Sequence, residues 1–192
     1  MEIRKAALTD CRDVAELALM AGEGIPAYFW QESQQPGQDI EDVGAAKLRS
    51  ETENFSYRNT VVATIDDQIA GMMLAYKLKE EDEDLAGLPE FIRPLIELEQ
   101  IVPETFYINM LATFPRYRNM SVGTMLMQQV DILAEENSCN TSSIQVFDEN
   151  EGALRLYLRL GYQILDSRKV VPHSCHPYQG EVLLLTRPVT VG

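Results

Sequence analysis

The second half of the chain alternates between segments patterned as strands and segments patterned as helices, and this order restricts the fold more than any other feature. Strands are predicted from short apolar and β-branched runs, and helices from apolar residues spaced three or four apart. The predicted strands are 106–113, 143–147, 162–170 and 182–186, and the predicted helices are 122–136 and 151–160. Gly161 follows the second helix where a C-cap glycine is expected. This order predicts an α/β fold with a mixed central sheet and helices on both faces.

The first half of the chain adds further helices and strands to this pattern. The predicted elements are a strand at 3–6, a helix from the N-cap Thr9 to about Met20, a second helix at 40–49, and the two strands of a hairpin at 60–65 and 69–78. Gly22, Gly24 and Pro26 are expected to end the first helix. An irregular stretch is therefore predicted at 24–39.

Residues 80–103 differ in composition from the segments around them. The stretch opens with the acidic run 80–84 and continues with Pro89, Pro94 and Pro103 among apolar residues. We expect a solvated acidic insertion with short helical pieces, broken or kinked near Pro94. Since no linker, repeat or low-complexity tract interrupts the sequence, residues 1–192 are predicted to form a single domain.

The chain is strongly acidic, with 30 acidic residues against 16 basic ones and a formal net charge of −14. Proteins that bind nucleic acids need a basic face to neutralise phosphates, so no nucleic-acid partner is expected. An acidic field favours a cationic acceptor such as an amine. A net charge of this size is also explained simply as a means of keeping the protein soluble.

The sequence carries no signal for membrane insertion or export. No segment approaches the roughly 20 apolar residues that span a bilayer, and the first residues lack the apolar stretch of a signal peptide. The three cysteines, Cys11, Cys139 and Cys175, are widely spaced and form no Cys-x-x-Cys pair. Such cysteines are typical of reduced thiols, so a cytoplasmic location without a membrane partner is expected.

The segment 111–124 leaves a predicted strand, makes a short loop and begins an amphipathic helix. The first turn of a helix presents unpaired N–H groups and the positive end of the helix dipole, which together attract anions. Gly123 has no side chain to keep a phosphate away from that backbone, and Arg118, assisted by Arg116, adds positive charge. The loop is not a Walker A motif or a Rossmann fingerprint, since the required Lys and glycines are missing.

Two motifs in this half of the chain resemble the GNAT acetyltransferase family. Residues 118–123 (RNMSVG) resemble the family's pyrophosphate loop, Arg/Gln-x-x-Gly-x-Gly/Ala, and residues 107–118 resemble the strand that precedes it. Residues 150–162 are similar to the motif Asn-x-x-Ala-x-x-Leu-Tyr-x-x-x-Gly-Phe/Tyr. The resemblance extends over nearly the whole chain. It implies a GNAT fold and an enzyme that transfers acetyl from acetyl-CoA to a primary amine by direct attack.

The resemblance also implies roles in cofactor binding. Leu111 and Thr113, at the end of a splayed strand, are expected to align the pantetheine and the acetyl carbonyl through their backbone groups. Asn150 is expected to hydrogen-bond the pantetheine arm, and it is equally suited to cap the helix that follows. The residues expected to bind acetyl-CoA are Leu111, Ala112, Thr113, Arg118, Asn119, Met120, Ser121, Val122, Gly123, Thr124 and Asn150.

Two residues are candidates for proton transfer. The resemblance implies that Tyr157 protonates the departing thiolate, which suits a phenol of pKa about 10, and the alternative is a core tyrosine. Glu23 lies in the region that shapes the acceptor site in related proteins, and it is a candidate to take the proton of the amine. A chain of water molecules fills that role equally well, which would leave Glu23 as an exposed loop carboxylate.

Ser121 departs from the family pattern, which usually has its first glycine there. The serine hydroxyl either caps the helix or binds a phosphate, or the side chain crowds the loop and weakens cofactor binding. This departure keeps a second class of function open, a non-catalytic GNAT-fold module that binds CoA as a sensor or interaction domain. The acceptor, a small-molecule or peptide amine, is not specified by the sequence. A homodimer is the family-level expectation.

Two further groups of residues are candidates for function. His173, Cys175 and His176 lie between Pro172 and Pro177 in the loop between the last two strands, and no partner cluster exists elsewhere in the sequence. We therefore predict that the protein has no metal site, and a place in the lining of the acceptor pocket suits these residues better. The aromatic residues 28–30 either form a wall of the acceptor site or pack beneath a loop.

Overall fold

The computed structural model of the chain describes residues 1–80 and 85–190. Its helices are α1 (Cys11–Ala21), α2 (Ile25–Gln31), α3 (Ile40–Leu48), α4 (Arg93–Glu99), α5 (Val122–Met127), α6 (Val130–Glu136) and α7 (Glu151–Arg159). Its strands are β1 (Glu2–Lys5), β2 (Thr60–Ile65), β3 (Gln68–Lys77), β4 (Phe106–Thr113), β5 (Thr141–Phe147), β6 (Gln163–Lys169) and β7 (Glu181–Pro188). In this part of the chain the seven strands form one sheet in the order β1-β2-β3-β4-β5-β7-β6.

The sheet is mixed, as the sequence predicts. β4 and β5 pair in parallel, whereas β1 with β2, β2 with β3, β5 with β7 and β6 with β7 pair in antiparallel register. The chain divides into two compact units: Met1–Ala75 with Asn109–Gln129, and Tyr76–Ile108 with Val130–Gly192. We call them unit 1 and unit 2. The single domain over residues 1–192 stays a prediction.

Unit 1 begins with β1 and the packed helices α1, α2 and α3. Val14, Leu17 and Ala18 of α1 are fully buried, because their spacing of three and four places them on one side of the helix. The predicted N-cap, Thr9, is wrong: it lies inside a short 3-10 turn, Leu8–Asp10. Asp10 accepts the Ala7 N–H at 2.7 Å, and its hydrogen bond to the Arg4 guanidinium lowers its pKa.

The stretch predicted as irregular at 24–39 contains the helix α2. Gly24 precedes this helix with a left-handed φ of 101°, and Pro26 lies in its first turn, where proline's missing N–H is not needed. Pro26 therefore lies at the start of α2, and its role is not limited to ending α1. Trp30 of α2 is buried, and a Cβ atom on Gly44 of α3 would lie 2.3 Å from its indole ring. For Trp30, the packing interpretation is correct.

Unit 2 contains the paired strands β5, β7 and β6, with α4 packed against β6 and β7. One apolar cluster in this unit consists of Leu78, Leu98, Val102, Tyr107, Val182 and Leu184. The insertion predicted around 80–103 has the expected helical pieces, a 3-10 turn at Leu85–Gly87 and α4. Pro94 does not break a helix, because it lies in the first turn of α4. Residues 81–84 of the acidic run lie outside the described residues.

The helix predicted at 122–136 is interrupted by a turn at 128–129. Its first part, α5, packs on β2 in unit 1, and its second part, α6, packs on β5 in unit 2. The predicted stop of α7 is confirmed, because Gly161 has a φ of 89° and the Tyr162 N–H donates to the Tyr157 carbonyl at 3.1 Å. None of the described helices is long and apolar enough to cross a membrane.

Candidate active site

The end of β4 leads directly into the segment predicted to bind a phosphate. The described parallel pairing of β4 with β5 joins Phe106–Ile108 to Ser142, Ser143 and Ile144, while β4 itself runs on to Thr113. The N–H of Phe114, the next residue, donates to the carbonyl of Ala70 in β3 at 2.9 Å. The exit of β4 is therefore anchored on β3 within unit 1.

Gly71 of β3 allows this strand exit to approach closely. A Cβ atom on Gly71 would lie 2.6 Å from the carbonyl oxygen of Ala112 and 2.9 Å from Cγ1 of Val122. Real Cβ atoms do not come that near to a backbone oxygen, so only glycine fits at this position. Gly71 thus sets the distance between β3, the end of β4 and the start of α5. The sequence does not reveal this role of Gly71, because a glycine inside a predicted strand gives only a weak signal of close backbone approach.

The loop between β4 and α5 has an unusual backbone. After a 3-10 turn at Pro115–Tyr117, Asn119 and Ser121 adopt left-handed conformations with φ of 61° and 63°. Ser121 is the N-cap residue of α5, but its side chain makes no capping hydrogen bond, so the capping alternative for its hydroxyl is not realised. Glycine is the residue that adopts this left-handed conformation without a steric cost.

The loop offers donors to an anion. Outside the helix ladders, the hydrogen bonds described for this segment use the N–H groups of Tyr117, Arg118 and Met125 and none from 119–124. Arg118 is exposed. The Arg116 guanidinium stacks over the rings of Phe114 and Tyr117, at 5.4 and 4.9 Å from their centroids. The segment therefore combines unused backbone donors with two positive charges in an acidic protein.

Replacing Ser121 with glycine is expected to stabilise the protein by about 0.5–1 kcal/mol. The left-handed conformation costs a non-glycine residue about 1–2 kcal/mol, of which glycine's greater unfolded-state freedom offsets about 0.5–1 kcal/mol. Thermal melting measures the change, and Ser121→Val is the matched variant, expected to melt lower than wild type because a β-branched residue fits this conformation poorly. If Ser121→Gly melts no higher than wild type, the left-handed backbone at Ser121 does not destabilise the protein.

Asn150 and Tyr157 lie on α7 in unit 2. Asn150 is the N-cap of the helix, and its Oδ1 accepts the Ala153 N–H at 3.2 Å, so the capping role weighed for it is realised. Tyr157 is the buried residue of α7, only 5% exposed, and its ring meets Tyr162 edge to face with centroids 6.2 Å apart. Burial raises the pKa of Tyr162, whose hydroxyl pairs with Ser142 at 2.9 Å.

Two carboxylates lie in segments that bear on the predicted reaction: Glu23 in the predicted acceptor region, and Glu104 just before β4. Glu23 is half-buried in the turn between α1 and α2 in unit 1, with a left-handed φ of 52°. Strained backbone at a residue other than glycine is often found at functional sites. Glu104 is left-handed as well, with a φ of 63°, and it forms an ion pair with Lys77 at 2.5 Å. This hydrogen bond raises the pKa of Lys77.

The residues that sequence analysis grouped as a site fall in both units. Residues 111–113 and 118–124 form one continuous strand, loop and helix start in unit 1, which also contains Glu23. Asn150 and Tyr157 belong to unit 2, as do the histidines of the loop between β6 and β7. Among residues 1–80 and 85–190, no group of three His, Cys, Asp or Glu side chains is arranged to hold a metal ion.

Comparison with known proteins identifies the family. Residues 26–162 match the model of the acetyltransferase (GNAT) family. A solved acetyltransferase structure is similar with a TM-score of 0.70 at 17% identity, covering 99% of this chain and 100% of that one. An agmatine N-acetyltransferase variant in its apo form has a TM-score of 0.68 at 17% identity over 97% and 98% of the two chains. An N-acetyltransferase from Staphylococcus aureus Mu50 has a TM-score of 0.64 at 22% identity over 97% and 100%.

These structures share the fold of this chain, and the family match covers both the loop that follows β4 and the motif on α7. The resemblance inferred from residues 118–123 and 150–162 is thereby confirmed. The chain belongs to the GNAT acetyltransferase family and is an acyltransferase.

Proposed function

We propose that this protein is an N-acetyltransferase that moves the acetyl group of acetyl-CoA to a primary amine. The observation that carries the proposal is the segment 118–124, where unused N–H groups, left-handed backbone and Arg118 occur together. A pyrophosphate is recognised by such a combination, because left-handed residues in a turn aim successive N–H groups at one point and arginine adds charge. These residues fit the diphosphate of acetyl-CoA.

Further residues are proposed to hold the remainder of acetyl-CoA. Leu111, Ala112 and Thr113 supply backbone groups from the part of β4 beyond its described pairing with β5. Asn150 donates from its amide nitrogen, a different atom from the Oδ1 that accepts the Ala153 N–H. When bound, acetyl-CoA supplies the acetyl group as an activated thioester.

The proposed reaction needs one proton donor and one proton acceptor. Tyr157 donates its hydroxyl proton to the sulfur of the leaving thiolate, which becomes basic as the carbon–sulfur bond breaks. The amine must lose a proton before or during attack, because an alkyl ammonium of pKa about 10.4 is almost fully protonated near neutral pH. Glu23, or water in its place, takes that proton.

Replacing Glu23 with glutamine separates these two options. If the carboxylate is the base, kcat/KM for the amine is expected to fall by about 10²-fold or more, with the loss partly recovered at higher pH as neutral amine becomes available. Glu23→Asp, which keeps the charge, is the matched variant and is expected to retain more activity. A rate unchanged by Glu23→Gln assigns the role to water.

The acceptor is proposed to be a small-molecule or peptide amine. The net charge of −14 supports a cationic acceptor, and one protein of the same fold is an agmatine N-acetyltransferase. A homodimer in the cytoplasm is part of the proposal, with the widely spaced free thiols of Cys11, Cys139 and Cys175 in favour of a reducing compartment.

A thermal shift with acetyl-CoA tests the proposal first. At a ligand concentration about 100 times Kd, binding adds about 2.7 kcal/mol, which is a rise of roughly 5–10 °C for a chain of this size. Arg118→Glu, which reverses the charge beside the loop, is expected to lose most of the rise. If millimolar acetyl-CoA does not raise the melting temperature, the proposal is wrong. A rise without release of CoA thiol for any amine supports the non-catalytic CoA-binding module instead.

A further inference from the structure

A side-chain hydrogen bond joins the loop between β4 and α5 to the start of β3. The hydroxyl of Tyr117 donates to Oε1 of Gln68 at 3.1 Å, across 49 positions of the sequence. Both residues belong to unit 1. Tyr117 is the last residue of the 3-10 turn that begins the loop, and Arg118 follows it directly. This bond, called the Tyr117–Gln68 bond below, therefore attaches the middle of the loop to a neighbouring strand.

The strand side of the Tyr117–Gln68 bond is fixed by a tight hairpin turn. β2 and β3 are joined by only two residues, Asp66 and Asp67, which are both left-handed with φ of 49° and 61°. Two left-handed central residues match a type I′ turn, whose twist agrees with that of the paired strands. Gln68 pairs with Ile65 directly across this turn. The sheet consequently holds the backbone of Gln68, and only its side chain has to reach the loop.

The loop side of the bond is stiffened by the rings that contact Arg116. The guanidinium lies 4.9 Å from the ring centroid of Tyr117 and 5.4 Å from that of Phe114. Phe114 is buried, and its N–H donates to the Ala70 carbonyl of β3 at 2.9 Å. Within the turn, the Tyr117 N–H donates to the Phe114 carbonyl at 2.9 Å. This part of the loop is thus attached to β3 twice, by the backbone of Phe114 and by the hydroxyl of Tyr117.

The residues that follow Tyr117 have few contacts of their own to order them. Residues 118–121 are exposed, and Asn119 and Ser121 have left-handed backbone. The hydrogen bonds described for the chain leave the N–H groups of 119–121 unused. A ligand that has to order such a segment when it binds loses affinity, so a loop held in place beforehand binds an anion more tightly.

We propose that Tyr117 is a positioning residue, whose hydrogen bond to Gln68 holds residues 118–121 in the conformation that receives the diphosphate of acetyl-CoA. The proposal rests on the proposed binding of acetyl-CoA by this segment. Tyr117 acts through the backbone that follows it and through the direction in which Arg118 leaves the turn, because Arg118 is the next residue along the chain. Its hydroxyl is engaged with β3 and is not assigned a contact with the ligand.

NMR relaxation tests the positioning step without acetyl-CoA. In the full chain labelled with ¹⁵N, the order parameters of residues 118–121 are expected to be about 0.85 in wild type, as in rigid backbone, and to fall towards about 0.6 in Tyr117→Phe. Phenylalanine keeps the ring next to Arg116 and removes only the hydroxyl. Gln68→Met keeps the length of the side chain without the acceptor oxygen, and it is expected to give the same loss of order.

Tyr57→Phe is the matched control. Tyr57 also lies in a 3-10 turn of unit 1, and the Arg58 guanidinium lies 5.9 Å from its ring centroid. Its hydroxyl, however, accepts a hydrogen bond from Nε of Arg58 at 3.4 Å and makes no bond to Gln68. Removing this hydroxyl is expected to leave the order parameters of 118–121 and the affinity for acetyl-CoA unchanged.

Titration calorimetry with acetyl-CoA measures the consequence for binding. Tyr117→Phe and Gln68→Met are each expected to raise Kd about fivefold, the equivalent of one neutral hydrogen bond. The double variant is expected to bind no more weakly than either single variant, because both changes remove the same bond. Without ligand, the melting temperatures are expected to stay within about 2 °C of wild type, since the bond joins exposed groups.

Three results overturn the proposal. Unchanged order parameters in Tyr117→Phe and Gln68→Met mean that the bond does not order the loop, and affinity losses that add in the double variant mean that the two residues act separately. A lower melting temperature with an unchanged Kd makes the bond a structural one only. If acetyl-CoA causes no thermal shift in wild type, the proposed function fails, whereas the relaxation measurement still decides whether Tyr117 holds the loop.

Discussion

Replacing Tyr157 with phenylalanine is expected to lower kcat by about 10²–10⁴-fold, the usual contribution of a general acid, while acetyl-CoA binds as tightly as to wild type. The substitution removes only the hydroxyl, and the ring that packs against Tyr162 with a centroid distance of 6.2 Å remains. The thiolate then has to leave without a proton. Release of CoA thiol at saturating amine measures kcat, and the thermal shift with acetyl-CoA measures binding.

Tyr162→Phe is the matched control for this experiment. Tyr162 is buried as well, and its hydroxyl pairs with Ser142 at 2.9 Å in a structural role. Removing it is expected to cost about 1 kcal/mol of stability and to leave kcat nearly unchanged. If Tyr157→Phe also loses stability but keeps its turnover, Tyr157 is a core residue, which is the alternative that its 5% exposure suggests. Loss of turnover with retained acetyl-CoA binding supports the acid role.

The strands and the helix of the second motif could be predicted because their signals are local. β4 has the predicted bounds, 106–113, and α7 ends one residue before the predicted limit of 160. An unbroken apolar run and a spacing of three and four are visible in the sequence itself. Gly161 is also a local signal: it adopts a left-handed φ of 89°, and the hydrogen bonds that end α7 join residues close to it in the sequence.

The segments that the sequence pattern assigns wrongly are those where the meaning of a residue depends on the surrounding backbone. The sequence pattern predicts an interruption at both Pro26 and Pro94, yet each lies in the first turn of a helix. A proline that ends one helix and a proline that starts the next look the same in sequence, because the difference is where the preceding backbone turns. The interruption at 128–129 has no sequence signal, since apolar spacing continues from α5 into α6.

The candidate site was predictable in its residues but not in its geometry. The resemblance identified the loop around Ser121, but the left-handed conformations at Asn119 and Ser121 and the missing capping bond required coordinates. The burial of His176 is likewise a tertiary property, since the rings of Phe91 and Phe147 that pack against it come from distant segments. Neither spacing nor composition reports which polar atoms remain unpaired after packing.

Replacing Gly71 with alanine is expected to cost about 3 kcal/mol of stability, the upper part of the usual range for overpacking, and to abolish the thermal shift with acetyl-CoA. The new methyl group would lie 2.6 Å from a backbone oxygen of Ala112, which cannot turn aside as a side chain can. The strand exit must therefore move, and Val122 at the start of α5 lies 2.9 Å from the same point. Displacing both disturbs the backbone donors of the loop.

Gly152→Ala and Gly44→Ala show whether the effect of Gly71→Ala is specific to the loop. Gly152 is an exposed helix position with its nearest neighbouring atom 4.0 Å from the new Cβ, so alanine there is expected to stabilise by about 0.5–1 kcal/mol. Gly44→Ala collides with the Trp30 ring instead, and is expected to lower the melting temperature while leaving the acetyl-CoA shift intact. If Gly71→Ala and Gly44→Ala lose stability and acetyl-CoA binding to the same extent, acetyl-CoA binding depends only on the overall stability of the protein. A loss of binding confined to Gly71→Ala means that the close approach of β3 to the end of β4 shapes the anion site.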